Sequence, residues 1–452
     1  MDKKIIKSSK KEIRIGIVGN VDVGKTSLIS VLTNNLLDNG RGSARSLVMK
    51  HPHEQISGRT SSITLNFMRT YFNSIEEINN KENNQFYNYN KNTESIKHKT
   101  NENKNNNSNE GYKNEKVINL IDLAGHEKYL KTTIRGINGC LVDYVCILIS
   151  ANSGIQRMTK EHLGLVLGLK LPIIVVITKI DIAPRNILSE TIQSVKKIFH
   201  KRNMKTMNIN DSSDIKIIKE FYKSGNYKSV IPIFKLSCVS GDGLPNFKQF
   251  VFNLEPYKRY KLKQKKSPHF IIESTYQIKG IGIVVSGTMK DGIINTRDIL
   301  KLGPYKGEFV NVAIKSIHNN FKEDVEELCA GEGGCFAIKI ISNNNKIELK
   351  RALIKKGMRI MKNIKFYYEF EAEVLILHHS TTIKTNYQPT IHCGTITQSA
   401  KICSMEQDIM RTGDCSKIKF RFMYRPEYIE KNNYLVFREG QTKGIGRIIN
   451  VY

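Results

Sequence analysis

The sequence predicts an α/β domain with a mostly parallel sheet, followed by two all-β barrel domains. Across residues 12–257, apolar strand-like runs alternate with segments of helical spacing, which is typical of βαβ units. Beyond residue 268 the helical periodicity disappears, and short strand-like runs recur between Gly and Asn turns over residues 269–363 and again over 366–452. Residues 258–268 are basic and Pro-flanked, so we expect them to form an interdomain linker.

Within the α/β domain, five apolar runs are the clearest strand candidates: IRIGIV, KVINLIDL, DYVCILIS, LPIIVVIT and VIPIFKLS. Helical spacing predicts helices over residues 25–37, 127–138, 160–169 and 183–201. Residues 73–115 interrupt this alternation, because Asn dominates and branched apolar residues are scarce. Such a segment buries too little surface to offset its ordering entropy, so we predict a disordered insertion.

Composition indicates a globular protein of the cytoplasm. The 452-residue chain is 40% hydrophobic and 25% charged, and it has no apolar run of the ~18 residues that a membrane span needs. The N-terminal stretch MDKKIIKSSKKEI lacks the apolar centre of a secretory signal. The eight cysteines include no CxxC pair, which favours reduced thiols; His392–Cys393 has no companion at metal-ligand spacing, which favours core packing.

The net charge of +29 raises the possibility of a polyanionic partner. The Asn-rich insertion carries nearly equal numbers of Lys and Glu, so the excess charge must lie on the folded domains. A solvated basic surface would explain the charge equally well by itself. Placement outside the insertion favours a binding surface for RNA or another polyanion.

The stretch GNVDVGKT matches the phosphate-binding loop pattern GxxxxGK[ST], between the strand IRIGIV and a helix that begins near Lys25. Backbone N–H groups of such a loop surround phosphates, and the helix N-terminus adds partial positive charge. Lys25 can reach the β and γ phosphates, and the Thr26 hydroxyl can ligate Mg²⁺. We predict that the nucleotide contacts Gly19, Asn20, Val21, Asp22, Val23, Gly24, Lys25, Thr26 and Ser27.

Three further motifs follow in order. In DLAG, Asp122 ends a strand and can hold Mg²⁺ through water, while Gly125 lets a backbone N–H approach the γ-phosphate. In TKID, the Asp181 carboxylate can accept hydrogen bonds from two guanine donors that adenine lacks, which selects GTP. In LSCVSG, a loop after the last strand can contact the base. The predicted base-side residues are Thr178, Lys179, Asp181, Ser237, Cys238 and Val239.

These motifs in this order resemble those of the translational GTPases related to elongation factor Tu and elongation factor 1-alpha. The stretches HPHEQISGRTSSI, IDLAGHEKYLKTT, YQPTIHCGTI and LVFREGQTKGIG are similar to the GTP-binding protein 1 and 2 branch. The resemblance implies a nucleotide domain followed by two barrels. It also implies that His126, directly after DLAG, positions the attacking water once the ribosome triggers hydrolysis.

The resemblance implies further roles. Thr60 aligns with the switch threonine that completes the Mg²⁺ shell, although Ser61, Ser62 and Thr64 lie close to it in sequence. Asp22 matches an aspartate associated with a monovalent cation. Two departures stand out. The hydrophobic gate over the catalytic histidine would pair Val21 with Arg59 rather than with isoleucine, and Thr178 replaces the usual asparagine of the guanine motif.

We therefore expect an elongation-factor-like GTPase that uses Mg²⁺, with His126, Lys25 and Thr60 in the catalytic step. Its expected partners are the ribosome and tRNA or another RNA, and no membrane. Two alternatives stay open: an RNA-decay adaptor in which GTP is a regulatory ligand, and the gamma-subunit branch of initiation factors. That branch usually carries a zinc knuckle, and the missing CxxC pair argues against it.

Overall fold

The computed structural model describes residues 9–49, 52–57, 60–72, 114–227, 229–256, 264–305, 308–341, 350–362, 365–439 and 442–452. Residues 73–113 of the predicted insertion and 258–263 of the predicted linker lie outside this set. Among the described helices, none has the length and apolar character needed to cross a membrane.

Seven strands form the sheet of the α/β domain: β1 (Ser9–Gly19), β2 (Thr64–Phe72), β3 (Asn114–Asp122), β4 (Tyr144–Ser150), β5 (Ile173–Thr178), β6 (Lys205–Ile209) and β7 (Val230–Lys235). Their order across the sheet is β2-β3-β1-β4-β5-β7-β6. Only β2 pairs antiparallel, against β3. Every residue of β4 and β5 is buried, as the continuous apolar runs of a sheet covered on both faces require.

The described residues of this domain form eight α-helices: α1 (Lys25–Asn34), α2 (Ser43–Ser46), α3 (Pro52–Ser57), α4 (Leu130–Gly139), α5 (Arg157–Gly168), α6 (Arg185–His200), α7 (Ser212–Lys223) and α8 (Leu244–Asn253). A short 3₁₀ helix, Glu127–Tyr129, precedes α4. In the core, Leu28 and Ile29 of α1 and Phe247 and Phe250 of α8 belong to one cluster with residues of β1 and β4.

The described part of the first barrel domain contains nine strands: β8 (His269–Ile278), β9 (Gly282–Asp291), β10 (Ile293–Asn295), β11 (Ile299–Tyr305), β12 (Glu308–Asn319), β13 (Asp324–Val325), β14 (Glu327–Cys329), β15 (Gly333–Ile340) and β16 (Arg359–Met361). Of these, β10 and β14 form a separate two-stranded sheet. The pairings run β11-β16-β8-β9-β15-β12, and a β11–β12 pairing closes the circle. A 3₁₀ helix, Arg351–Leu353, precedes β16. Inside, the rings of Phe270 and Phe336 lie 4.4 Å apart.

Six antiparallel strands close the second barrel in the order β17-β20-β19-β18-β21-β22. They are β17 (Glu369–His378), β18 (Thr390–Cys393), β19 (Ile396–Met405), β20 (Cys415–Phe422), β21 (Tyr434–Glu439) and β22 (Thr442–Val451). The sequence EFEAEV in β17 turns Phe370, Ala372 and Val374 inward, because successive strand residues face opposite sides. The predicted α/β domain with two following barrels is confirmed.

The element boundaries differ from the sequence-based prediction at several points. Helix α1 ends three residues early, because Asn35 adopts a left-handed conformation (φ 57°) and its N–H bonds to Val31. Helix α5 begins at Arg157 rather than at residue 160. The last two residues of the predicted insertion, Asn114 and Glu115, open strand β3, so the prediction of disorder is wrong there.

Candidate nucleotide-binding site

The phosphate-binding loop joins β1 to α1 at the carboxyl end of the central strand. This is the edge of a doubly wound sheet where ligands bind. Gly24 (φ 85°) and Asp22 (φ 60°) both adopt left-handed conformations, so the loop curls around a pocket at the start of α1. Six loop residues line the pocket: Val21, Asp22, Gly24, Lys25, Thr26 and Ser27. Arg45, Thr60, Gly125 and His126 complete the lining.

Lys25 is buried at the base of the pocket, and its ammonium donates to the Asn20 carbonyl at 2.7 Å. Burial lowers the pKa of Lys25, while the negative charges of Asp122 and Asp22 act in the opposite direction. A bound phosphate would favour the charged ammonium further. Gly125 contributes room, because a Cβ there would lie 2.5 Å from Lys25 Nζ and 2.6 Å from the Gly19 carbonyl.

Three oxygen-bearing side chains meet beside the lysine. Thr26 Oγ1 lies 2.8 Å from Asp122 Oδ2 and 2.9 Å from Thr60 Oγ1, and Thr60 Oγ1 lies 3.1 Å from the same carboxylate oxygen. Ser61 and Ser62 direct their hydroxyls to Glu54 instead. Among the described hydroxyls considered from the sequence, Thr60 is therefore the one that reaches Thr26 and Asp122.

This cluster fits Mg²⁺, which prefers hard oxygen ligands together with water and substrate phosphates. Asp122 Oδ1 is buried and has no hydrogen-bond partner among the described residues, as expected of an atom kept for a water on the ion. Burial raises the pKa of Asp122, while Lys25 and the two threonine hydroxyls act to lower it. A divalent cation would favour the ionised form.

Glu54 fixes the segment that carries Thr60. Its carboxylate Oε1 accepts from Ser61 N and Ser61 Oγ, both at 2.8 Å, and from Ser62 Oγ at 3.1 Å and Ser62 N at 3.2 Å. The side chain is only 1% exposed. Burial alone would raise the pKa of Glu54, but the hydrogen bonds outweigh it together, so the pKa lies below its usual value.

We expect Glu54→Gln to weaken Mg²⁺-dependent GTP binding by roughly tenfold, because a neutral amide holds the Ser61–Ser62 backbone less strongly. Affinity in excess chelator should change little. Since the pKa of Glu54 is depressed by folding, its stabilising contribution is present at neutral pH and is lost as pH falls below about 4.5, the ordinary value of the group. Titration with a fluorescent GTP derivative, with Mg²⁺ and with excess chelator, measures the two affinities. The exposed Glu190→Gln is the control; equal affinities in the two variants would contradict the role.

His126 stands at the entrance to the pocket, between β3 and the 3₁₀ helix. Its Nδ1 accepts from the Lys128 backbone N–H at 3.1 Å, and its ring meets that of Tyr129 edge-on at 6.2 Å. An Nδ1 that accepts carries no proton, so the neutral ring presents Nε2–H as a donor. The side chain can therefore orient a water molecule by hydrogen bonding.

On the base side, the structure changes the role expected of Thr178. The sequence placed Thr178 among the base-side contacts, but its side chain is buried and its hydroxyl donates to the Val23 carbonyl at 2.8 Å. It therefore ties the end of β5 to the phosphate-binding loop. Lys179 follows in a left-handed conformation (φ 61°), and Asp181 is exposed at the start of the next loop.

Ser237 is buried and shapes the second base-side loop from within. Its hydroxyl oxygen accepts from Val239 N and Ser240 N, each at 3.1 Å, so the side chain is occupied by its own loop. Asp38 N donates to the Cys238 carbonyl at 2.9 Å. Burial raises the pKa of Cys238 to about 12, with the charges of Asp38 and Asp181 adding to it. Asp181 and Cys238 therefore lie close together.

Three further features considered from the sequence are the hydrophobic gate, the monovalent-cation site and the His392–Cys393 pair. Val21 lines the pocket, but Arg59, its expected counterpart in the gate, lies outside the described residues. Asp22 is exposed at the rim, where a monovalent cation could approach, and this role stays a prediction. Among the described residues, no group of three or more His, Cys, Asp or Glu side chains could hold a metal ion; His392 and Cys393 lie buried in β18.

Sequence reasoning assigned no role to two residues of this site, Glu54 and Arg45. Glu54 precedes the serine pair by seven residues, and only the turn between α3 and β2 brings them together. Arg45 belongs to the four-residue helix α2, which is too short to give a periodic signal. The sequence signal that could have pointed to Arg45 is the stretch GRGSARS, which contains two arginines and lies between helix α1 and Thr60.

Residues 10–257 match the family described as the elongation factor Tu GTP binding domain. The chain is 40% identical over 445 residues to GTP-binding protein 1 of Xenopus laevis, covering 97% of this chain and 63% of that protein. It is 35% identical over 453 residues to human GTP-binding protein 2, covering 97% of this chain and 69% of that protein. A crystal structure of a bacterial selenocysteine-specific elongation factor superposes with a TM-score of 0.66 at 18% identity, covering 97% of this chain and 58% of that one.

Proposed function

Because the chain belongs to the GTPase family defined by the elongation factor Tu GTP binding domain, we propose that it hydrolyses GTP to GDP and phosphate in the pocket around Lys25. The observation that carries this proposal is the convergence of Lys25, Thr26, Thr60, Asp122 and His126 on one cavity. These residues come from three separate segments of the chain. An incidental glycine-rich turn would not gather them.

In the proposed reaction, water attacks Pγ, the bond to the β–γ bridging oxygen breaks, and the water proton passes to the phosphate. His126 Nε2–H orients the water, and Lys25 together with the loop N–H groups stabilises the charge that develops. Thr26 and Thr60 would ligate Mg²⁺ directly and Asp122 through water. When bound, the ion neutralises charge on the β and γ phosphates.

We extend the proposal to RNA, with tRNA as the first candidate, in the cytoplasm on or near the ribosome. A cleft on the first barrel supports it. Ser274, Thr275 and Tyr276 of β8 line it together with Arg351, Lys355 and Lys356, so among the described residues the lining contains three cations and no carboxylate. Tyr276 is 48% exposed. Cations beside an exposed aromatic ring suit a nucleic acid strand, which offers phosphates and stacking bases.

We predict that tRNA binds about fivefold or more tightly when the protein holds a slowly hydrolysed GTP analogue than when it holds GDP. By linkage, tRNA must then raise the affinity for the analogue by the same factor. Contact with roughly six phosphates would give a slope near −4 to −5 in log K against log salt. Filter binding of tRNA in both nucleotide states, across a salt series, measures the affinity ratio and the slope, and titration of the analogue with and without tRNA measures the reciprocal effect.

The basic cleft supplies a matched pair of variants for the same assay. Changing Lys355 and Lys356 together to alanine should weaken tRNA binding several-fold and flatten the salt slope by up to about two units. Lys196 and Lys197, adjacent on α6, are the control and should have no effect. Equal tRNA affinity in the GTP and GDP states would contradict nucleotide-dependent tRNA binding. It would favour a general RNA-binding protein, such as an RNA-decay adaptor with GTP as a regulatory ligand.

A further inference from the structure

Arg45 places a second cation among the residues that line the phosphate pocket, in addition to the lysine of the phosphate-binding loop. It lines the cavity together with Thr60, Gly125 and His126, the residues that face the end of the phosphate chain in the proposed reaction. Its position results from α2, a helix of four residues that follows the loop after α1. Neither the phosphate-binding loop nor the DLAG motif includes it.

The backbone beneath Arg45 is anchored on both sides. Ser30 Oγ of α1 donates to the Ala44 carbonyl at 2.5 Å, and Ala44 is only 2% exposed. Asp38 Oδ1 accepts from Gly42 N at 3.0 Å and from Ser43 Oγ at 3.3 Å, which secures the first turn of α2. Since these bonds hold the segment to α1, the arginine projects from a fixed support rather than from a free loop.

The side chain of Arg45 packs against the backbone of Gly42. Gly42 has φ +90°, a conformation that favours glycine, and a Cβ at this position would lie 2.5 Å from Arg45 Nε and 2.8 Å from Cζ. The guanidinium therefore lies directly against the Gly42 backbone. Any larger residue at position 42 would displace it.

The guanidinium has no carboxylate partner and no side-chain hydrogen bond among the described residues. Because Arg45 is only half-buried, its guanidinium remains accessible to an anion that enters the pocket. Its planar donors match phosphate oxygens in pairs, which a lysine cannot do. Arg41, four residues earlier, is exposed and does not line the pocket, so the same loop contains a matched arginine with a different position.

We propose that Arg45 is a catalytic residue supplied in cis: its guanidinium contacts the terminal phosphate of GTP. It stabilises the charge that develops as the bond between Pγ and the β–γ bridging oxygen breaks. This inference rests on the proposed GTPase function and adds to it a residue that stabilises charge without help from a partner protein. GDP lacks the terminal phosphate, so its binding does not depend on Arg45.

The test compares Arg45→Ala, Arg45→Lys and Arg41→Ala in two assays without ribosomes. For Arg45→Ala we expect about tenfold weaker binding of a slowly hydrolysed GTP analogue, unchanged GDP binding, and single-turnover GTP hydrolysis slower by about 10²-fold or more. Arg45→Lys should recover part of the analogue affinity but little of the rate, because the ammonium cannot bond two phosphate oxygens at once. Arg41→Ala should match the wild type throughout.

Three results would overturn the inference: Arg45→Ala equal to Arg41→Ala in both assays, equal losses of GDP and analogue binding, or full activity of Arg45→Lys. Unchanged GDP binding also serves as the check that the alanine variant is folded. A wild-type protein that binds neither nucleotide would contradict the proposed function itself. Failure of the wider proposal is thereby distinguished from failure of the arginine assignment.

Discussion

His126→Ala is expected to keep GTP and GDP affinity while ribosome-stimulated hydrolysis falls by about 10²- to 10⁴-fold, the range for a side chain that positions a reacting water. The reason is that the Lys128 N–H donates to Nδ1 of the ring, which leaves Nε2–H as the donor of a residue that lines the pocket. Removing the imidazole takes away that donor without touching the phosphate-binding loop. Single-turnover hydrolysis with ribosomes in excess measures the change.

Two further variants sharpen this result. His126→Gln retains an N–H donor of similar reach and should lose less activity than the alanine variant, since glutamine orients water in other GTPases. His200→Ala, an exposed histidine at the end of α6, repeats the chemical change away from the site and should behave as wild type. An unchanged stimulated rate in His126→Ala would remove this histidine from the mechanism.

The sequence predicted much of the site because its motifs specify backbone conformation locally. A phosphate-binding loop depends on glycines such as Gly24, whose left-handed φ is open to few other residues, so the motif and the structure coincide. Position 125 also requires glycine, because a Cβ there would collide with Lys25 and with the Gly19 carbonyl. The constraint at Gly24 is local, whereas the one at Gly125 comes from residues distant in the chain and is visible in the sequence only because the DLAG motif records it.

Contacts that depend on tertiary packing were not predictable in this way. Thr60, rather than Ser61 or Ser62, reaches Asp122 because Glu54 of α3 accepts hydrogen bonds from both serine hydroxyls. The Thr178 hydroxyl bonds to the Val23 carbonyl because packing brings the end of β5 within hydrogen-bonding distance of the phosphate-binding loop. A sequence states which hydroxyls are available, while packing decides which partner each one meets.

The fold shows the same division. Strands β4 and β5 are continuous apolar runs and were found, whereas the half-polar edge strands β2 and β6 and the helices α2, α3, α7 and α8 were not. Helix α7 did carry a local signal. Asp211 accepts from Ser213 N and Asp214 N, as an N-cap should, and the run DSSD before IKII marks that start.

Asp181→Asn is expected to exchange the base preference of the protein, with GTP binding weaker by about 10²-fold or more and xanthosine triphosphate binding stronger by a similar factor. The carboxylate is proposed to accept from guanine N1–H and the exocyclic amine. An asparagine accepts at one position and donates at the other, so it opposes the amine but complements the xanthine carbonyl. Val239 and Ser240 N–H groups are held by Ser237, so the loop shape is independent of residue 181.

Because the phosphate pocket is untouched in this variant, Asp181→Asn should hydrolyse xanthosine triphosphate at close to the wild-type rate for GTP. Affinity and turnover then separate: the base side sets which nucleotide binds, and Lys25 with His126 sets how fast it reacts. Asp408→Asn, an exposed aspartate of the second barrel, is the matched control. Equal GTP affinity in Asp181→Asn, Asp408→Asn and the wild type would show that another group recognises the base.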